Sequence, residues 1–330
     1  MAKTNFFEII PQGTKFDFMR AGKIFIPLSA LLVAASLVII FTKGFNWGID
    51  FAGGLEMRVE FKGAAQNVRI GDMRKTMENL PPDLPLQGVQ VTNFVMPGRN
   101  VFSIKAKGEE NVTRAGGDAA LQDLASKVLT FLETKYGKGD VVVVSTDMVG
   151  PRVGSSLRKQ GLYAIIYAMI GILVYVGFRF NFKYSPGGVI ALVHDVIITA
   201  GIFSLFSREM NLVIVAALLT IAGYSINDTI VIFDRIREGR AGRYRAIPLH
   251  QAVNNSINET LSRTVLTSGV TMLVVIALLF LGGEILFDFA LAMTIGIVIG
   301  TYSSIFIASP IFVMLEDIFA ARRKAKGAAR

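Results

Sequence analysis

An aspartate lies where a charged group is costly. The stretch Ala222-Gly-Tyr-Ser-Ile-Asn-Asp-Thr-Ile-Val-Ile-Phe-Asp-Arg-Ile-Arg237 closes an apolar run that begins near Leu212, so Asp228 falls within a segment long enough to cross a bilayer. If the run ends at Phe233, Asp228 is roughly 7–8 Å inside its apolar edge at the helical rise. A charge there costs about 2.5–3.5 kcal/mol on insertion scales, so such residues usually face other helices and serve a function. The alternative is a span boundary displaced by one turn, with Asp228 wet at the surface. Tyr224 and Ser225, four and three residues earlier, share its helix face and can solvate a carboxylate, and Asn227 directly precedes it. A carboxylate that alternates between protonated and charged forms near the membrane interior can couple a proton gradient to movement, since one charge crossing 100 mV yields about 2.3 kcal/mol.

Other polar groups fall at membrane depth. Arg263 begins a span in Leu261-Ser-Arg-Thr-Val-Leu-Thr-Ser268, and Thr267 and Thr271 extend a polar stripe from it at four-residue steps. Arg263 either belongs to that stripe or reaches outward to lipid phosphates. His194-Asp195 lies midway along another apolar run, as a proton relay or a structural hydrogen bond to a neighbouring helix. Asp234, Arg235, Arg237 and Glu238 form a solvated helix end, and Glu209, Glu284 and Asp288 bound loops on the other side.

These residues need helices to hold them in a membrane. The 330 residues are 52% hydrophobic with a positive mean hydropathy, more apolar surface than a soluble fold hides. Six spans are legible: 24–41, 161–178, 187–206, 212–233, 265–281 and 289–315. Pro27 is placed near the start of the first, where a helix tolerates it. Apolar residues at 24–41 without a small-residue cleavage site predict an uncleaved helix.

Residues 42–160 differ in kind. Leu55-Glu-Met-Arg-Val-Glu-Phe61 alternates as a strand with one buried face. A helix over Asn67–Leu80 stops at Pro81-Pro82, strands follow at Val89–Val95 and Val101–Ala106, and a helix at Ala119–Tyr136 ends before Gly137. Val141–Ser145 reads as a last strand of buried type. The order β-α-β-β-α-β predicts a ferredoxin-like α+β module. Gly53-Gly54 permits a tight turn or a hinge, and Gly296-Ile-Val-Ile-Gly300 is a GxxxG packing motif in the sixth span.

Basic residues set the topology. The segment 1–23 carries Lys3, Lys15, Arg20 and Lys23. The loop 234–264 carries Arg235, Arg237, Arg240, Arg243, Arg245 and Arg263, Arg179 and Lys183 join spans two and three, and the tail 316–330 carries Arg322, Arg323, Lys324, Lys326 and Arg330. The short loops of the opposite side hold Arg208 alone, so the termini are expected in the cytoplasm and the 42–160 domain in the periplasm. The formal charge of +9 is then a topological signal and predicts no nucleic-acid partner. No cysteine is present and His194 and His250 are far apart, which argues against a metal or thiolate centre. No GxxxxGK[ST] loop or supported Ser/His/Asp arrangement occurs, so no cofactor and no enzyme activity are predicted.

Several longer strings carry a family resemblance: Trp47-Gly-Ile-Asp-Phe-Ala-Gly-Gly54, Val149-Gly-Pro-Arg-Val-Gly-Ser155, Ala191-Leu-Val-His-Asp195, Gly223 to Glu238, and Ser262-Arg-Thr-Val-Leu-Thr-Ser268. Together, and in this order, the chain resembles the SecF family of protein-export subunits, of the resistance-nodulation-division type. The resemblance implies pairing with SecD in a twelve-helix bundle of the bacterial inner membrane, and association with the SecYEG channel and YajC. It implies export driven by the proton motive force on an unfolded polypeptide that the ATPase SecA has started. The family's proton-transport residues carry over to Asp228 and Arg263, while the matching carboxylate of the SecD half lies outside this chain. Two alternatives stay open: a non-transporting scaffold of the translocase, and a small-molecule or lipid exporter of the same superfamily.

Overall fold

The computed structural model describes residues 14–328 apart from 82–83, 85, 97, 109 and 181–184. Lys3, Pro82, Lys183, Arg330 and the side chains of Arg323, Lys324 and Lys326, used above for topology and turns, lie outside the described residues. It is a multi-pass helical membrane protein: among the described residues six helices, or helix pairs, are apolar and long enough to cross a bilayer, and the segment between the first two folds as an α+β domain.

Helix α1 (Phe18–Lys43) starts well before the first apolar residue of its span because Asp17 caps it, accepting from the Arg20 N–H at 2.9 Å. Pro27 is therefore inside the helix rather than near its start, a correction to the expectation from the apolar pattern alone. A two-residue strand β1 (Asn46–Trp47) and a one-turn helix α2 (Ile49–Ala52) lead into the domain.

The domain comprises β2 (Gly54–Phe61), α3 (Ile70–Glu78), β3 (Leu86–Met96), β4 (Arg99–Gly108), α4 (Glu110–Tyr136) and β5 (Val141–Val149). The strands form an antiparallel sheet in the order β3-β4-β2-β5, the ferredoxin-like arrangement. Alternation in β2 sends Leu55, Met57, Val59 and Phe61 into a core shared with Phe102 and Ile104 of β4, Met73 of α3 and Leu121 and Leu132 of α4. The opposite face carries Glu56, which accepts from Ser103 at 2.8 Å and pairs with Arg58 at 3.3 Å. The valine run at 141–145 is not a buried strand. β5 is an edge strand, only Val141 of the run is fully buried, and Val144 is exposed.

The remaining spans are α5 (Pro151–Phe180), α6 (Ser185–Leu205), α7 (Leu212–Ala241), α8 (Leu249–Leu281) and the pair α9 (Gly283–Ser303) and α10 (Ser309–Ala328); a two-residue strand β6 (Glu209–Met210) precedes α7. α6 and α7 are central, and α1, α5 and α8 present most of their apolar surface outward. The sixth span is not one α-helix: Ser304–Ala308 form a π-helical turn. Pro310 has no N–H to offer the Phe306 carbonyl, and a wider turn just ahead of it relieves the clash.

The segment 234–264, expected as a loop, is mostly helical. α7 continues to Ala241 because Asp234–Arg237 and Arg235–Glu238 pair at i,i+3, with contacts of 2.7 and 3.0 Å. Arg240 closes the short turn by donating to the Tyr244 and Ile247 carbonyls, and Glu259 of α8 gathers Arg235, Arg243 and the Tyr244 hydroxyl. Burial, with the bond to Glu259, pushes the Tyr244 hydroxyl above its ordinary value, so it remains a donor. On the same extension of α8, Asn254 and Asn258 bond both the N–H and the C=O groups of the backbone entering α1, at Phe16 and Phe18.

Candidate functional site

Asn211 caps α7, accepting from the Ile214 N–H at 3.1 Å, and the helix then runs uninterrupted past Asp228. Asp228 is 3% exposed, so it is not a wet residue at a miscalled boundary. Ser268 of α8 donates to its Oδ2 at 3.1 Å, and Thr301 of α9 donates to Ser268 at 2.8 Å. The carboxylate is solvated from the neighbouring helices and not, as the helix-face pattern predicts, by Tyr224 and Ser225. Residues four and three positions earlier lie on either side of Asp228, about 100° apart around the helix. Tyr224 accordingly reaches α8, donating to Thr271 at 3.2 Å, and Ser225 reaches α6.

Ser225 meets the second buried acid. Asp195 of α6 is 0% exposed, and its Oδ2 accepts from Ser225 of α7 at 2.5 Å and from Ser303 of α9 at 2.8 Å. Its Oδ1 is 2.9 Å from Nδ1 of His194. The His194 ring lies over Tyr302 with 6.2 Å between centroids, and its buried Nε2 has no partner among the described residues. Thr229 and Ser304 bond each other at 2.9 Å beside this group. Two polar centres thus flank the α7–α9 contact, one on α6 and one between α7 and α8.

Of the remaining expected residues, Arg263, Thr267 and Asn227 are exposed on the outer faces of α7 and α8. Thr267 turns its hydroxyl back to the Arg263 and Thr264 carbonyls. Among the described residues, no ion pair within 4.0 Å joins Arg263 to Asp228, and the hydrogen-bond partner of the buried acid is the Ser268 hydroxyl. Gly296 and Gly300 lie where α9 meets α7: a Cβ on Gly296 would stand 2.4 Å from Ile221, and one on Gly300 3.0 Å from the Ser225 Cβ. Gly53 and Gly54 adopt positive φ, and a Cβ on Gly54 would stand 2.4 Å from the Ala106 carbonyl oxygen. These contacts account for the glycine pair as a close-packed turn.

Ser268, Thr301, Ser303, Ser304 and Thr229 were not singled out by sequence. Their signal was faint but present: hydroxyls inside apolar spans, with Ser303 and Ser304 three and four residues beyond Gly300 and hence on its packing face.

Comparison with known proteins bears directly on this arrangement. Residues 129–317 match the family "Protein export membrane protein SecD/SecF, C-terminal", and residues 38–65 match the "SecD/SecF GG Motif". A "Protein translocase subunit SecF" from Calditerrivibrio nitroreducens is 40% identical over 316 residues, covering 95% of this chain and 98% of that protein. One of the same name from Magnetococcus marinus is 42% identical over 317 residues, covering 96% of each. The chain belongs to the SecD/SecF family of protein export membrane proteins. A solved structure of SecDF, "a translocon-associated membrane protein" from Thermus thermophilus, superposes with a TM-score of 0.75 at 36% identity over 92% of this chain. This chain spans 39% of that longer one. A second SecDF structure, in a super-membrane-facing form, superposes with a TM-score of 0.68 over 96% of this chain and 40% of its own length.

The family's glycine motif has a physical account here. Trp47 packs edge-on against Phe45 and Phe51, with the Arg158 guanidinium 5.3 Å from its ring centroid. β1 pairs in parallel with β6, and Asp50 accepts from the Leu212 N–H at 3.0 Å at the start of α7. A Cβ on Gly154 would stand 3.0 Å from the Phe51 carbonyl oxygen, and one on Gly53 3.0 Å from Pro151 Cα. The 47–54 and 149–155 strings of this SecD/SecF-family chain are therefore packing partners, and together they seat the α+β domain on the helices.

Proposed function

We propose that this chain is the SecF part of a SecD–SecF pair that draws on a proton gradient to drive or complete protein export, with Asp228 as its proton-coupling group and Arg263 as the nearby cation that tunes it. The observation that carries the proposal is Asp228 itself: 3% exposed, far along an apolar helix, and bonded to a hydroxyl rather than to a counter-ion. A lone carboxylate in such a place is costly when ionised and cheap when protonated, so its surroundings respond to its proton. The Ser268–Thr301 chain gives that response a route from α7 into α8 and α9.

Support for a SecD partner comes from two sides. The chain accounts for about two fifths of each matched SecDF chain. Asn227, Arg263, Thr267 and the bare Gly223 are exposed at membrane depth on adjoining helices, where polar groups normally face another helix bundle. Basic residues such as Arg240, Arg243 and Arg245 gather opposite the α+β domain, which supports cytoplasmic termini, a periplasmic domain and residence in the bacterial inner membrane. Association with SecYEG, YajC, the exported polypeptide and, indirectly, SecA follows from the family resemblance.

The scaffold alternative draws on the Asp228–Ser268 bond, which could equally be a fixed cross-link. Export into membrane vesicles carrying Asp228→Asn with SecD, with and without an imposed gradient, separates the two. The expected result is loss of gradient stimulation with SecD still co-purifying. Full stimulation would leave Asp228 structural.

A further inference from the structure

The buried acid that the coupling scheme does not use is Asp195. We infer that Asp195 is a positioning residue: it holds Ser225 and Ser303 in place and thereby sets the spacing of α7 and α9, two of the three helices on which the Asp228 site is built. The inference rests on the role proposed for Asp228.

The geometry is specific. Ser225 is three residues before Asp228 on α7, and Ser303 is two residues after Thr301 on α9. Thr301 orients Ser268, and Ser268 donates to Asp228. One oxygen of Asp195 thus receives hydroxyls from α7 and from α9, at 2.5 and 2.8 Å. Between these hydroxyls the helices pack closely: a Cβ on Gly300 would stand 3.0 Å from the Ser225 Cβ and 3.1 Å from its Oγ. The α9 side of the clamp ends at Ser303, and the π turn of 304–308 begins at the next residue. The π turn carries the sixth span on into α10, and its wider winding changes the register of the backbone bonds just past the clamp. Asp195 anchors the clamp from a third helix.

Asp195 is fully enclosed and ties three helices through a single atom, which suits holding rather than ferrying. The ionisable groups around the two acids are few. His194 faces Asp195 from its own helix, with Tyr302 of α9 against the His194 ring, and Arg263 of α8 is the charged group that acts on Asp228.

The test uses Asp195→Asn, Asp195→Ala and the double variant Ser225→Ala/Ser303→Ala, each co-expressed with SecD, beside Asp228→Asn as reference. Two readouts are taken: gradient-driven stimulation of export in vesicles, and the pH at which that stimulation is half-maximal. A displaced site of this kind loses about tenfold to a hundredfold in efficiency. The double serine variant and Asp195→Ala are expected to show that loss and a moved pH midpoint, because the surroundings of Asp228 change. A fall in the amount of folded complex would scale the curve without moving it. Asp195→Asn keeps one carbonyl oxygen for both serines and is expected to retain at least about half of the stimulation with its midpoint in place.

If Asp195→Ala fails to assemble with SecD, the double serine variant decides, since it removes only two oxygen atoms. Normal stimulation and midpoint in that variant would overturn the inference. So would an Asp195→Asn variant as inactive as Asp228→Asn in an intact complex, because Asp195 would then carry the proton itself. If Asp228→Asn retains full stimulation in the same preparations, the proposed role of Asp228 has failed, and the positioning role fails with it.

Discussion

Gly296→Ala should destabilise this protein, although alanine is the better helix former. An exposed helical glycine gains about 0.5–1 kcal/mol on becoming alanine. At position 296 the new Cβ would lie 2.4, 2.5 and 2.8 Å from Cγ1, Cδ1 and Cγ2 of Ile221. Ile221 is 1% exposed and branched at Cβ, with one strongly preferred helical rotamer, so it cannot swing away. To restore ordinary contact, α7 and α9 must separate by about 1 Å, and overpacking of this kind costs about 1–3 kcal/mol. The net expectation is a loss of up to about 2 kcal/mol, or several degrees in a thermal unfolding scan of the detergent-purified protein at roughly 2–4 °C per kcal/mol. Gly269→Ala is the internal control: its Cβ would meet nothing within 4 Å, and it should unfold at or above the wild-type temperature. Ile221→Ala removes all three clashing atoms. It should be destabilising alone by about 2–5 kcal/mol, and together with Gly296→Ala it should cost less than the sum of the two single changes. Gly296→Ala at wild-type stability, or additive effects with Ile221→Ala, would refute the claim that α7 and α9 touch through this glycine.

Two further outcomes are expected. Arg263→Lys should keep part of the gradient-driven stimulation and Arg263→Ala little, because lysine preserves the charge without the planar guanidinium; vesicle export with SecD measures both, and a fully active Arg263→Ala would remove Arg263 from the scheme. Gly54→Ala should loosen the seat of the α+β domain, since φ is +155° and the new Cβ would lie 2.4 Å from the Ala106 oxygen; faster proteolysis within 54–149 with an intact helix bundle is the expected reading, and unchanged protection would count against it.

The class of the protein and most of its frame are legible in the residues alone. Six apolar runs, a β-α-β-β-α-β order and an alternating Leu55–Phe61 strand follow from periodicities that local sterics and solvent impose on any chain. Asp228, His194, Asp195 and Arg263 are legible there too, because an ionisable residue in an apolar run is conspicuous without knowledge of its neighbours. Helix ends were less legible. Hydropathy marks where lipid stops, whereas α7 and α8 continue through polar residues held by pairs such as Asp234–Arg237 and by the turn that Arg240 closes. Which helix each polar side chain faces emerges from the packing of the bundle and not from the spacing of residues along one helix. Tyr224, Ser225 and Asp228 share one stripe of α7, yet two different helices adjoin it, so the stripe divides: Tyr224 to Thr271 and Asp228 to Ser268 on α8, Ser225 to Asp195 on α6. The spacing along one helix fixes angles about its own axis, and a helix's partners are set by the packing of the whole bundle, here by glycines that let α9 lie against α7.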